Sequence, residues 1–176
     1  MTALVSHCPT LQSERLTLRS PQEADFDLVG AFLTDPERST GFGGPIDINE
    51  AWRWFASMIG HWSIRGYGFW FADDKAGATI GMVGLWNPLG WPEPELGWVL
   101  FAGHEGKGYA TEAALTVRNY AYDTLGMSAL TSNIVPDNEA SKAVARRLGA
   151  TMERIYENPK MGTDELWRHP GPQVAT

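Results

Sequence analysis

A glycine-rich junction between a strand-like run and a long helical one restricts this chain more than any other feature. Glu95 to Phe101 (ELGWVLF) has the length and composition of a strand, and Gly103-His104-Glu105-Gly106-Lys107-Gly108 follows it. Tyr109 to Leu125 is then the strongest helical pattern in the sequence. Ala110, Ala113, Val117, Tyr120, Ala121 and Leu125 share one face, and Gly126 stands where a helix ends. Ala129 to Val135 reads as the next strand, so the chain crosses the sheet through this helix.

The flanking segments extend that pattern. Arg15 to Arg19 alternates polar and apolar residues until Pro21 stops it. Glu23 to Leu33 places Phe26, Val29, Phe32 and Leu33 at helical spacing, and Asp35-Pro36 ends the helix. The stretch from 39 to 47 (STGFGGPID) reads as a loop, and Asn49 as the cap of a helix through Trp52, Phe55, Ile59 and Trp62 that closes near Gly66. Tyr67 to Ala72 and Thr79 to Trp86 are strands joined by a hairpin at 73–77, and Gly97 in the next strand is a candidate bulge. Asp137 is placed to cap a helix through Ala140, Val144 and Leu148 that ends at Gly149. Thr151 to Tyr156 and Glu165 to Arg168 are short strands around an Asn158-Pro159 turn. The order predicts an α+β fold: a central, mostly antiparallel twisted sheet of six to seven strands flanked by four helices. Its length of 176 residues suits one domain, expected over 11–169, with a flexible lead (1–10) and tail (170–176).

Charge and cysteine usage exclude several classes. Fourteen basic against twenty-one acidic side chains leave −7, which argues against a nucleic-acid partner. The same charge fits a cationic small molecule or a basic protein as substrate, or serves solubility alone. Cys8 is the single cysteine, so no internal disulfide or cysteine zinc cluster forms, and His7, His61, His104 and His169 lack metal-ligand spacing. No basic leader with an apolar core and no run of about 18 apolar residues is present, so neither export nor membrane insertion is expected and the cytoplasm is the expected compartment. Eight tryptophans serve either core packing or a hydrophobic substrate wall.

The junction itself is an anion site or a turn whose glycines serve geometry alone. Gly106 and Gly108 permit a tight turn and close approach of a ligand. The helix beginning at Tyr109 offers unpaired N–H groups and a partial positive charge, which suit a phosphate or pyrophosphate, and Lys107 adds a full charge. A Walker loop is excluded because Gly108, not Ser or Thr, follows Lys107; a dinucleotide fingerprint is excluded because Thr111 stands where its last glycine belongs.

Glu105-Gly106-Lys107-Gly108-Tyr109-Ala110 resembles the pyrophosphate motif Gln/Arg-x-x-Gly-x-Gly/Ala of the GCN5-related N-acetyltransferase (GNAT) superfamily. The continuation Thr111-Glu112-Ala113 resembles its RimJ/RimL-type branch, as do Pro136 to Ser141, Arg147 to Ala150 and the opening strand Ser13 to Arg19. The resemblance spans about residues 11–168. Glu105 departs from it, since a carboxylate replaces Gln or Arg beside a pyrophosphate.

The resemblance implies an acetyl-coenzyme A co-substrate, no metal, and transfer of acetyl to an amine by direct attack in a ternary complex. The pantetheine arm would pair with the backbone of Val99, Leu100 and Phe101. The pyrophosphate would rest on the amides of Lys107, Gly108, Tyr109, Ala110, Thr111 and Glu112. Asn138 would contact the arm, or else add a second cap to its helix. The amine must be neutral to attack, which an α-amine (pKa about 8) achieves more readily than a lysine (about 10.4). A backbone N–H of the bulged strand near Val99 would serve the oxyanion. Glu95 would act as base, through water, in preference to Glu93; otherwise it is an exposed strand-end carboxylate. Ala145 stands where many relatives carry an acidic tyrosine, and Ser141 would replace it as proton donor or as an orienting group. No G-x-S-x-G elbow surrounds Ser141, which removes a serine hydrolase. The acceptor is a small-molecule amine or a protein N-terminus, and the protein a monomer or homodimer. A non-catalytic acyl-coenzyme A binding module is the alternative.

Overall fold

Strand pairing is set by antiparallel neighbours and one crossover. The computed structural model describes residue 5, residues 7–158 and residues 162–172. Its strands are β1 (Leu11–Gln12), β2 (Leu16–Arg19), β3 (Phe69–Asp74), β4 (Thr79–Trp86), β5 (Glu95–Leu100), β6 (Thr131–Ile134), β7 (Thr151–Asn158) and β8 (Gly162–Arg168). Its α-helices are α1 (Phe26–Thr34), α2 (Ile48–Arg65), α3 (Tyr109–Asp123) and α4 (Glu139–Arg147). The eight strands form one sheet in the order β1-β2-β3-β4-β5-β6-β8-β7. Every neighbouring pair is antiparallel except β5 and β6, which the α3 crossover makes parallel. The additional strand beyond the expected six to seven is the two-residue β1, which the sequence shows only as part of an aperiodic lead.

Local chemistry moves several element boundaries. Asp47, not Asn49, caps α2: its carboxylate accepts from the amides of Asn49 and Glu50, and Gly66 closes the helix at φ 77°. Asn138, not Asp137, caps α4, accepting from the Ser141 amide at 3.0 Å. The expected loop after α1 contains a 3-10 helix, Arg38–Phe42. Asp35 organises it, with Oδ1 accepting from the amides of Glu37 (2.8 Å) and Arg38 (3.0 Å). Around the expected flexible lead, Val5 is buried and the Pro9 carbonyl accepts from Trp70 Nε1 at 2.7 Å. Residues 1–4, 6 and 173–176 and the Pro159 turn lie outside the described residues.

Strand alternation divides the core between the sheet's faces. Trp70, Val83, Leu85 and Leu96 pack with Ala113, Ala114, Val117 and Ala121 of α3. Phe69, Phe71, Met82 and Val99 pack with Val29 and Leu33 of α1 and Phe55 and Met58 of α2. Gly97 is not a bulge. The β4–β5 ladder runs unbroken from Gly81 opposite Leu100 to Trp86 opposite Glu95. Gly97 is required instead because the Phe69 ring lies over it, 3.2 Å from where a Cβ would be.

β5 is bonded to β4 along its whole length but to β6 at one pair only, Glu95 opposite Thr131. A side-chain link, Ser132 Oγ donating to the Leu96 carbonyl at 2.6 Å, follows that pair. Beyond it the two strands part.

Candidate active site

The divergence of β5 and β6 opens a cleft of about 1500 Å³ that runs from the glycine loop and the α4 N-terminus to the aromatic face of α2. One end is a cradle of amides. Gly103, Gly106 and Gly108 all adopt positive φ (86°, 76° and 80°), and Gly108 is the N-cap of α3. The first helical bond runs from the Glu112 amide to the Gly108 carbonyl (3.1 Å), so the N–H groups of Tyr109, Ala110 and Thr111 have no acceptor within the helix. Thr111 Oγ1 beside them is buried and has no partner among the described residues. This donor set fits the diphosphate of a coenzyme A thioester.

The charged side chains around the loop each have a partner of their own. Glu112 accepts from Ser13 Oγ (2.7 Å), the Arg15 amide (2.7 Å) and Arg15 Nε (2.6 Å), so it anchors α3 to the strand before it. Lys107 Nζ folds back to the Gly103 carbonyl at 3.2 Å. Glu105 is turned toward Arg38 (2.6 Å) and the Gly103 amide (2.9 Å). Partial burial alone would raise its pKa, but these donors outweigh that and hold it below the ordinary carboxylate range.

β5 offers a different set of backbone groups from the expected one. The Phe101 amide donates to the Ile80 carbonyl (2.9 Å), so strand alternation turns Phe101 and Val99 toward β4. Their side chains belong to the core against α1 and α2. Leu100 faces the open edge, with its carbonyl accepting from Arg38 at 2.8 Å, and Trp98 joins it by the same alternation. The geometry therefore corrects Val99 and Phe101 to Trp98 and Leu100 as the backbone facing the wedge. The N–H near Val99 is correspondingly directed at β4.

Glu95 occupies the apex where the strands part. Its Oε2 accepts from Trp91 Nε1 (2.5 Å) and Asn133 Nδ2 (3.1 Å), and its Oε1 from the Asn133 amide (3.3 Å). Burial pushes its carboxyl up to about 7 against these donors, and the negative charge of Asp164 adds to the rise. It is not an exposed strand-end carboxylate. Glu93, the competitor, is instead committed to Arg168 at 2.5 and 2.7 Å.

On the opposite lip, the Oδ1 of Asn138 is taken by its capping bond, while its Nδ2 faces the 3-10 helix, 2.7 Å from where a Cβ on Gly41 would stand. Ser141 is half-buried and lines the cleft one turn further on. Ala145 is fully buried against Ile134, Ala150 and Trp167, so this position has no access to the cleft. The cleft brings Glu95, Val99, Leu100, Gly108, Ala110, Thr111, Asn138 and Ser141 together and leaves Phe101, Lys107, Tyr109 and Glu112 outside its lining. Trp91 and Asn133, which bond Glu95, and Asp164, whose charge acts on it, were not among the residues singled out from the sequence. Asp164 is 1% exposed with its carboxyl pushed up by burial, and Asn158 Nδ2 donates to it at 2.9 Å. A carboxylate in the middle of a strand, where β-propensity is low, is the one signal that marked it. Among the described residues no group of His, Cys, Asp and Glu is arranged to hold a metal.

An open sheet parted at one parallel pair, a glycine cradle at a helix N-terminus and a half-buried glutamate at the apex together define an acyl-coenzyme A-dependent acyltransferase. The profile of the acetyltransferase (GNAT) domain matches residues 15–151, and the chain belongs to that family. An acetyltransferase from Agrobacterium tumefaciens is similar in structure (TM-score 0.85) and 40% identical, covering 92% of this chain and 94% of its own. An uncharacterized N-acetyltransferase p20 of Bacillus licheniformis is 29% identical over 161 residues, 86% of this chain and 89% of its own. The spermidine N-acetyltransferase of Vibrio cholerae, solved in complex with CoA and spermine, shares the fold at TM-score 0.72 and 15% identity, over 90% of this chain and 96% of its own. No helix among the described residues is long and apolar enough to cross a membrane.

Proposed function

We propose that the protein transfers the acetyl group of acetyl-coenzyme A to a primary amine by direct attack in a ternary complex, as enzymes of the RimJ/RimL type do. The half-buried Glu95 carboxylate at the mouth of the β5–β6 wedge, held by Trp91 and Asn133, carries this reading. A base whose pKa lies near 7 takes a proton from an ammonium at neutral pH without being saturated itself. Trp91 and Asn133 fix its two oxygens, so its free lone pairs point at one place.

The amides of Gly108 to Thr111 hold the diphosphate, and the outward backbone of Trp98 and Leu100 pairs with the arm. One ammonium proton passes to Glu95, the N–C bond forms, the C–S bond breaks, and the second proton shed by the nitrogen ends on the departing thiolate at the Ser141 end of the cleft. Ser141 orients that sulfur by hydrogen bonding; an unperturbed hydroxyl is too weak an acid to do more. Asn138 contributes its Nδ2 to the arm. The acceptor is a small-molecule amine or a protein N-terminus, the reaction belongs in the cytoplasm, and ribosomal-protein and spermidine acetyltransferases of the same fold support an amine as the class.

The test is release of free thiol from acetyl-coenzyme A across a panel of α-amino peptides, polyamines, amino sugars and simple amines. Turnover with at least one, lost in Glu95→Gln while coenzyme A still binds, is expected. No thiol release with any acceptor would overturn the reading.

A further inference from the structure

The tryptophans divide sharply in their burial. Trp62 and Trp70 are fully buried. Trp54, Trp86 and Trp91 are only half-buried, and all three line the cleft on the side of the sheet that carries Glu95. The Trp54 and Trp86 rings lie 6.1 Å apart, inclined by 38°. Phe69 completes a triangle with them at 6.2 and 5.9 Å. His61 stacks on Trp86 at 4.5 Å and 24°.

His61 is a neutral, flat part of this wall. Its Nδ1 meets the Tyr67 carbonyl at 2.7 Å, so it carries the proton, and its Nε2 accepts from the Asn87 amide at 3.0 Å. Both nitrogens are thus occupied, and burial lowers its pKa. Trp86 stands directly opposite Glu95 in the β4–β5 ladder, so the two side chains are neighbours on one face. Gly97, next on that face of β5, is covered by the Phe69 ring, which backs the two side chains from the core.

Large aromatic rings left half-open in a cleft, in a chain that buries two tryptophans completely, mark a binding surface rather than unfinished core. We propose that the acceptor is a primary amine carried on an aromatic body, its ring laid against the half-open Trp54 and Trp86, which the buried Phe69 and His61 back, and its amino group at Glu95. This rests on the amine-transfer reading above and names its substrate class. A polyamine needs several unpaired anionic partners, but Glu105 is paired with Arg38, and Glu50 lines the cleft together with the cationic Arg53 and Arg147. A peptide N-terminus would press its backbone N–H and C=O groups against ring faces, leaving them without partners.

Thiol-release kinetics with phenethylamine, tryptamine, n-butylamine, spermidine and trialanine test this. The aromatic amines should show KM values about tenfold or more below that of n-butylamine, as one aromatic contact of about 1.4 kcal/mol gives. Trp54→Leu and Trp86→Leu should each raise KM for the aromatic amines severalfold, and the shift of melting temperature on adding coenzyme A checks that each variant folds. If n-butylamine, spermidine or trialanine matches or exceeds the aromatic amines, the inference fails while amine transfer stands. If neither tryptophan variant changes the aromatic KM, it also fails. If no amine turns over, amine transfer fails, and equilibrium dialysis of phenethylamine against the coenzyme A complex decides the inference alone: binding weakened by Trp86→Leu supports it, and no binding overturns it.

Discussion

Arg38 and Glu105 form a 2.6 Å ion pair that ties the 3-10 helix to the glycine loop, and a second bond from the same guanidinium nitrogen holds the Leu100 carbonyl at 2.8 Å. One residue thereby holds the anomalous carboxylate of the motif and the free edge of β5. Glu105→Gln removes a negative charge near the amide cradle. Coenzyme A should bind about threefold to tenfold more tightly to this variant at low ionic strength, and the gain should shrink in about 0.5 M salt, where screening is short-ranged. Calorimetric titration at the two salt concentrations measures it; equal affinities for the variant and the parent at low salt would show that Glu105 does not sense the cofactor.

Glu95 couples activity to stability. Its folded pKa of about 7 lies above the ordinary carboxylate value, so the folded state binds the extra proton. Stability at this site is therefore greatest at low pH and is lost as pH rises toward and through 7, by up to about 3 kcal/mol. Glu95→Gln should melt higher than the parent at pH about 8, with little difference at pH about 4. In the parent enzyme kcat/KM should rise with pH through a midpoint near 7, the pKa of the Glu95 carboxyl. A melting curve that is lower for Gln at alkaline pH contradicts this account of the site.

His169 has the opposite slope. Its Nε2 meets Ser132 Oγ at 2.9 Å, while Ser132 donates onward to the Leu96 carbonyl, so Nε2 carries the proton. Burial pushes its pKa down to about 4. The unfolded chain takes up a proton here that the folded one refuses, so stability falls as pH drops from about 6.5 to 4, by up to about 3 kcal/mol. Urea unfolding at those two pH values should show a smaller acid loss for His169→Gln than for the parent.

Two glycines should respond differently to alanine. A Cβ on Gly84 would lie 2.4 Å from the Gly68 carbonyl oxygen and 2.4 Å from the Phe69 Cα, both backbone atoms that cannot move alone. Gly84→Ala should cost about 3 kcal/mol or more, or abolish folding. Gly106 has φ 76° with open space around a Cβ, so Gly106→Ala should cost only about 1–2 kcal/mol. Thermal unfolding of the two variants side by side separates steric from conformational cost.

The repeating parts of this fold were legible because periodicity is a local signal. The α3 crossover, the β3–β4 hairpin and the glycine junction all follow from spacing within a dozen residues. Caps were read one or two residues off, Asn49 for Asp47 and Asp137 for Asn138, because neighbouring polar residues compete and only three-dimensional reach decides between them. Glu95 and Ser141 could be found from their place in a motif. Asp164, Asn133 and Trp91 could not, since they meet Glu95 from β8, β6 and the loop before β5, and no sequence period links them. The backbone direction of Val99 against Leu100 depends on a register one residue wide, which alternation alone leaves undecided.

A sheet of five strands and a sheet of three are pinned together at a single residue pair, Glu95 and Thr131. The smaller leaf has its own apolar cluster around Ile134, Ala145, Ala150 and Trp167. Widening the gap between the leaves breaks no ladder, because none exists beyond the pin. The extended arm of a bound thioester would act there as a borrowed strand, turning two leaves on a hinge into one continuous plate. On that view the enzyme is mechanically softest while it waits and stiffest while it holds its acyl donor.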